Sequence, residues 1–334
     1  MIKIEDFNNL ESSGLAYGGH GGAKSGVLIN GEKWLLKYPK PTKSMNVKNL
    51  SYTTTPLSEF LGSHIYQIVG IDTHDTKLGI KDNKIVVACK DFLKSNEVIL
   101  NYNEIKNEYS LETEKELEKI STNYNQNEDL EELFVIMDTN VYFKKVNDLR
   151  TRFYDMFVID ALIGNNDRNE GNWGLVLNKE ILSLKLAPVY DNGASFCNKS
   201  DNSKLKSFEM DEFKFKQLAY DSSISIFSLN NKKINPLKYI ESMQNKDLNE
   251  AILRIVPRID LKKIKDFFDS IPYEINDIQV FSNEQKVIYY KLLEYRYNFI
   301  LLETYKKLKK SWSFNIKYDM STKICWQPRF IMIL

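Results

Sequence analysis

The chain has 334 residues, with 46 Lys+Arg against 45 Asp+Glu for a net charge of +1. At about 150 residues per domain this length predicts two domains or lobes. With 43% hydrophobic and 12% aromatic residues, the composition excludes global disorder. The balanced charge gives no overall attraction to nucleic acid or anionic lipid. Cys89, Cys197 and Cys325 form no CxxC pair, so neither a disulfide framework nor a structural zinc site is expected. His20, His64 and His74 all lie in the first quarter, at no metal-ligand spacing. No run approaches ~18 apolar residues, the length of a membrane span. The N-terminal MIKIEDFNNLESSG lacks the apolar core of a signal peptide. A reducing, cytoplasmic setting is the default expectation, and secretion without a classical signal stays open.

In chain order, residues 14–40 read GLAYGGHGGAKSGVLINGEKWLLKYPK, a glycine-rich loop feeding two strands. Asn30-Gly31 between them is a type I′ hairpin signal. Thr55-Pro56 reads as an N-cap and first helical position. Leu57, Phe60, Leu61, His64, Ile65 and Ile68 then recur at helical spacing, and Gly70 stops the helix. KIVVA (84–88) is a short buried strand. Residues 104–132 hold ten acids against three lysines and read as an exposed helix and a polar loop on a solvated surface. RFYDMFVIDALI (152–163) is apolar almost all round, so it reads as a buried helix. GNNDRNEGNWG follows as a loop, then strands at 175–177 and 181–190, the second ending in Asp191-Asn192-Gly193. Residues 204–312 read as mostly helical, with 282–312 as one long helix.

This order of elements predicts an α+β fold of two lobes. The boundaries are 1–92 for a small β-rich lobe, 93–150 for an acidic connecting segment, 151–312 for a larger helical lobe, and 313–334 for a tail.

Phosphoryl transfer needs few protein groups: a carboxylate for the acceptor hydroxyl, and oxygen ligands that fix Mg²⁺ against the phosphates. Asp167 and Asn172 stand five apart in a loop after a buried helix, and Asp191 follows 24 residues after Asp167 at a strand end. This is the spacing of the catalytic and metal loops of protein kinases. It makes Asp167 the base and Asn172 and Asp191 the metal ligands. Gly18, Gly19, Gly21, Gly22 and Gly26 supply a loop whose backbone N–H groups can wrap phosphate oxygens. GGHGGAKS falls short of a P-loop at Ala23, and it runs into a hairpin rather than a helix. Gly19, Gly21, Gly22, Ala23, Lys24 and Ser25 are therefore read as an ATP-covering flap. Lys37 sits in the second hairpin strand, 19 residues after Gly18, as a point charge for the α- and β-phosphates. Glu59 is its candidate partner, facing either solvent or the cleft. Cys89, Lys90, Asp91 and Phe92 take the hinge position, where backbone groups meet adenine. Asp155 and Asp160 read as anchors for loop backbone N–H groups, and Trp173 as packing.

GNNDRNEGNW, the downstream YDNG, the early GGAKSG and the LLKYP strand resemble the HipA-type serine/threonine kinases. IVVACKDF, LAPVYDNG and LRIVPRID extend the likeness to the short, single-unit, CtkA-type members, up to about residue 300. The resemblance implies a two-lobed protein-kinase-like fold using ATP and Mg²⁺. It implies Asp167 as the catalytic Asp, Asn172 and Asp191 as metal ligands, Lys37 as the phosphate-binding lysine, and Ser25 as a site of autophosphorylation. HipA toxins work with a DNA-binding antitoxin, whereas the short members act alone or on host proteins, so an antitoxin or a host protein is the implied partner. One departure is Asn169, where the family usually has His; Asn hydrogen-bonds but carries no proton at neutral pH. Because the glycine loop begins almost at once, a counterpart of HipA's own N-terminal subdomain is not expected in this sequence. Two other readings use the same residues: a small-molecule phosphotransferase of the antibiotic-kinase kind, and a nucleotide-binding pseudokinase acting through protein interaction.

Overall fold

A computed structural model describes residues 1–14, 23–45, 47, 49–120, 128–221, 223, 225–230 and 232–311. Its first sheet holds β1 (Glu5–Asp6), β2 (Lys24–Ile29), β3 (Glu32–Lys37), β4 (Thr76–Lys81) and β5 (Lys84–Lys90) in the order β1-β4-β5-β3-β2. All pairings are antiparallel except β1 with β4. Asn30 (φ 53°) and Gly31 (φ 78°) make the left-handed turn that the Asn-Gly pair predicts between β2 and β3. Side chains alternate across this sheet. Val27, Trp34, Leu36, Val86 and Ala88 pack with Phe7 on one face. Leu78, Val87 and Cys89 enter the main core on the other. The same alternation turns Lys37 toward the main-core face.

Helix α1 (Thr55–Val69) covers that face. Its cap is Thr54 rather than Thr55, with Pro56 in the first turn, and Gly70 (φ 75°) ends it as expected. The acidic stretch differs from its sequence reading at its start. β6 (Glu97–Asn101) is a strand, followed by α2 (Tyr102–Ile105), α3 (Leu111–Ile120), β7 (Glu128–Asp129) and α4 (Leu130–Thr139). The apolar run Val98–Leu100 is too short to show a period, and its partner lies far along the chain.

The larger lobe is centred on α5 (Leu149–Ile163), buried along most of its length and stopped by Gly164 (φ 71°). β8 (Gly174–Asn178) pairs with both β6 and β9 (Ser183–Leu186). Only those four residues of the 181–190 stretch are strand, because Leu182 is in a left-handed turn (φ 51°) and Pro188 has no N–H to give. α6 (Asn202–Met210), α7 (Glu212–Lys216), β10 (Phe227–Leu229), β11 (Lys232–Lys233), α8 (Pro236–Ser242), α9 (Lys246–Ile255), α10 (Leu261–Ser270), β12 (Glu274–Ile275), β13 (Ile278–Gln279) and α11 (Asn283–Arg296) complete it. The predicted long helix starts at α11 and runs to Ser311 through one wide π-type turn at Tyr297–Leu301. Among the described residues no helix is long and apolar enough to cross a membrane. Residues 313–334 lie outside the described residues.

The lobes meet at a parallel bridge between Thr73 and Val189, where the His74 N–H donates to Val189 O at 3.1 Å. This places the end of β9 and the Asp191 turn beside β3 and α1.

Candidate active site

Lys37 sits where the two lobes meet. Its Nζ donates to Glu59 Oε2 at 3.0 Å and to Asp191 Oδ1 at 2.9 Å. Hairpin, helix and turn thus converge on one ammonium group. Burial alone would lower the Lys37 pKa, but the Asp191 and Glu59 carboxylates outweigh it and hold it well above the usual lysine value. Glu59 faces the cleft and is fully buried, which settles its orientation. Burial alone would raise its pKa, but Lys37 and His74 overcome this and push it far below the carboxylate range.

The second Glu59 oxygen is also filled. Oε1 accepts from His74 Nε2 at 3.0 Å and from the Asn192 backbone N–H at 3.0 Å. Asn192 Nδ2 donates to Ser63 Oγ at 3.0 Å, which also lies 3.2 Å from His74 Nε2. Gly193 allows this docking, since a Cβ there would stand 2.7 Å from Thr55 Cγ2 and 3.1 Å from Glu59 Oε2.

The Asp167 loop is held from behind by Arg168. This buried guanidinium forks onto Asp160, with Nε to Oδ2 at 2.8 Å and Nη2 to Oδ1 at 3.0 Å. It also donates to Asn172 O at 2.9 Å, to Asn192 Oδ1 at 2.7 Å and to Tyr190 O. Burial opposes its charge, but the Asp160 carboxylate more than compensates and raises its pKa. Asp160 anchors side chains rather than backbone N–H groups: Arg168, Asn165 Nδ2 at 3.1 Å and the Tyr66 hydroxyl at 2.8 Å. Asp155 is engaged elsewhere, by Arg254.

Asp167 itself is exposed. Asn169 Nδ2 donates to its Oδ1 at 3.0 Å, and Asn172 Nδ2 to its backbone oxygen at 2.6 Å. Asn169 therefore steadies the Asp167 carboxylate. Asp191 adopts φ 61°, and its side chain keeps 35% exposure. Asp191 Oδ2 and Asn172 Oδ1 take no hydrogen bond among the described residues.

The other candidate residues are spread around this centre. Lys24 and Ser25 open β2 opposite Lys37 and Leu36, next to Ala23, and Ser25 Oγ lies 3.1 Å from the Tyr38 hydroxyl. Cys89 and Lys90 end β5; Asp91 and Phe92 follow it. The Cys89 thiol lies within 4.8 Å of the Glu59 and His74 ligand atoms, and burial pushes its pKa far up. Lys90 pairs with Glu32 at 2.7 Å. The Phe92 ring stands 6.0 Å from that of Tyr190. Gly19, Gly21 and Gly22 lie outside the described residues. Trp173 packs as expected, stacked 4.6 Å from Tyr102. Sequence reasoning missed His74, Ser63, Asn192, Tyr66 and the bracing role of Arg168. Arg168 and Asn192 stand inside the quoted motifs, whereas His74, Ser63 and Tyr66 carry no local signal.

No protein-family model matches the chain. It is 35% identical over 260 residues to the serine/threonine-protein kinase CtkA of Helicobacter pylori, covering 77% of this chain and 76% of that one. The crystal structure of the Helicobacter pylori proinflammatory kinase CtkA superposes with a TM-score of 0.79 at 28% identity, over 92% of this chain and 99% of the other. HipA from Shewanella oneidensis, in a complex with HipB and operator DNA, aligns at a TM-score of 0.49 and 12% identity over 92% of this chain and 70% of that one, a likeness too faint to bear on the assignment. Sequence identity and fold agree over most of its length: the chain belongs to the CtkA-type serine/threonine protein kinases.

Proposed function

We propose that the cleft around Lys37 binds ATP with Mg²⁺ and that the γ-phosphoryl group passes to a serine or threonine hydroxyl, Ser25 of its own chain included. The observation that carries this reading is the clasp of Lys37 between Glu59 and Asp191, which fixes one ammonium group where α1 and the turn after β9 meet the hairpin. In this reading Lys37 meets the α- and β-phosphates as a point charge. Asp167 orients the acceptor hydroxyl and takes its proton. The hydroxyl oxygen bonds to the γ-phosphorus, the bond to the β-phosphate oxygen breaks, and ADP leaves. Gly19, Gly21, Gly22, Ala23, Lys24 and Ser25 supply the phosphate-covering backbone, and Cys89–Phe92 the adenine edge.

Asn172 and Asp191 fit Mg²⁺: both offer oxygen donors, and each keeps an oxygen without a hydrogen bond among the described residues. When bound, Mg²⁺ would neutralise charge on the phosphate oxygens. The acceptor protein, whether a host target or an antitoxin, is part of the proposal and rests on the sequence resemblance alone.

The test is intact mass after incubation with ATP and Mg²⁺, followed by peptide mapping. Wild type is expected to gain about 80 Da per phosphoryl group, with Ser25 among the modified residues. Asp191→Ala and Asp167→Ala are expected to stay folded and to lose roughly 10²–10³-fold in rate. Wild-type rates in either variant would reject its assigned role.

A further inference from the structure

Two arginines are buried behind the Asp167 loop, and they differ in their partners. Arg168, 2% exposed, is neutralised by the Asp160 fork. Arg296, 5% exposed at the end of α11, has no carboxylate partner among the described residues. Its Nε donates to Ala219 O and its Nη1 to Leu162 O, both at 3.0 Å. Leu162 O belongs to the last turn of α5, so the helix dipole offsets part of the charge. Nη2 takes no hydrogen bond among the described residues.

The guanidinium lies flat against Gly164, where a Cβ would stand 2.8 Å from Nη1 and 3.2 Å from Nη2. A cavity of about 120 Å³ opens beside it, lined by Arg296, Gly164, Asn165, Asn166, Cys197 and Ser223 among others. A single water needs only about 10–15 Å³ of such space. Asp160 also borders the cavity, but its oxygens serve Arg168, Tyr66 and Asn165. Burial draws the Arg296 pKa down to about 10, with Cys197 the one opposing influence, whereas Asp160 holds Arg168 above its usual value.

A desolvated cation with a donor edge that no described residue takes, facing a cavity lined in part by polar groups, is complementary to an anion. We propose that this cavity binds a small oxyanion of the phosphate class, held by Arg296 Nη2 and by the amide of Asn166 and the hydroxyl of Ser223 at its rim. Asn165 on the same wall accepts the Asp167 backbone N–H at 3.2 Å. An anion bridging Arg296 to this loop therefore steadies the backbone that presents Asp167. The proposal does not depend on the ATP reading of the front cleft.

The probe is inorganic phosphate, titrated against chloride at constant ionic strength, with thermal unfolding of the full chain as readout. Phosphate is expected to raise the unfolding temperature of wild type. Arg296 also holds two carbonyls, so the deciding variants leave it in place. Ser223→Asp and, at the exposed rim, Asn166→Asp put a like charge against the anion. Each is expected to lose roughly tenfold or more in apparent phosphate affinity, and either folded variant suffices. No shift in wild type, or an undiminished shift in the variant, overturns the site and confines any phosphate binding to the front cleft.

Discussion

Glu59 is the residue on which the site turns. Three donors fill its two oxygens: Lys37 Nζ, His74 Nε2 and the Asn192 N–H. Such a carboxylate is stable in the interior only while ionised and paired. Its pKa is held far below the ordinary value near 4.5. The stabilisation it contributes is therefore fully present above about pH 4.5 and is lost as pH falls from there toward the depressed value. Urea midpoints of wild type should fall below about pH 4.5, while Glu59→Gln starts lower at neutral pH and declines less steeply over that range. Parallel curves for the two proteins would remove Glu59 as the source of the acid sensitivity. The sequence left Glu59 between solvent and cleft, because helical spacing alone cannot show that β3 and the Asp191 turn close over that side of α1. His74 carried no sequence signal at all, being brought to Glu59 by the Thr73–Val189 bridge.

Between elements, the critical contact is the seat of the Asp191 turn on the first turns of α1. Gly193 leaves room for it. Gly193→Ala is expected to wedge the turn away from Thr55 and Glu59 and to cost about 1–3 kcal/mol. Denaturant unfolding measures that cost, and autophosphorylation should slow with it. An unchanged rate would mean that α1 yields without disturbing Lys37. Elements with a strong local signature were legible: the Asn30-Gly31 hairpin, α1 with its Gly70 stop, and apolar α5. β6 was not, because Val98–Leu100 becomes a strand only by pairing with Leu175–Leu177 some 77 residues on. The shortening of the 181–190 strand likewise follows from the Leu182 turn and from Pro188, not from the apolar pattern.

At the scale of the whole molecule, Arg168 joins parts that are distant in sequence. It binds α5 through Asp160, the Asp167 loop through Asn172 O, and the Asp191 turn through Tyr190 O and Asn192. Asn192 continues the chain of contacts to Ser63 and Glu59 in the small lobe. Arg168→Ala strands the Asp160 charge in the interior and is expected to cost about 3–5 kcal/mol. Arg168→Lys should not restore it, because an ammonium group cannot make the planar fork. Thermal unfolding of both variants checks this, and near-wild-type stability in the lysine variant would show that charge alone suffices.

The sequence by itself determined the candidate groups and the loops that carry them. The Asp167–Asn172 spacing, the Asp191 turn and the lysine after a glycine-rich hairpin are local patterns, set by which residues stand close along the chain. The two-lobed α+β class followed from the order of such patterns. Only the tertiary structure decided that Glu59 faces inward, that His74 and Asn192 complete its shell, that Arg168 braces the loop, and that Arg296 has no carboxylate partner among the described residues. These depend on burial and on contacts between separate elements, such as those of Lys37 with partners 22 and 154 residues away, and the field at a buried charge is set by what folds around it rather than by its neighbours in the chain.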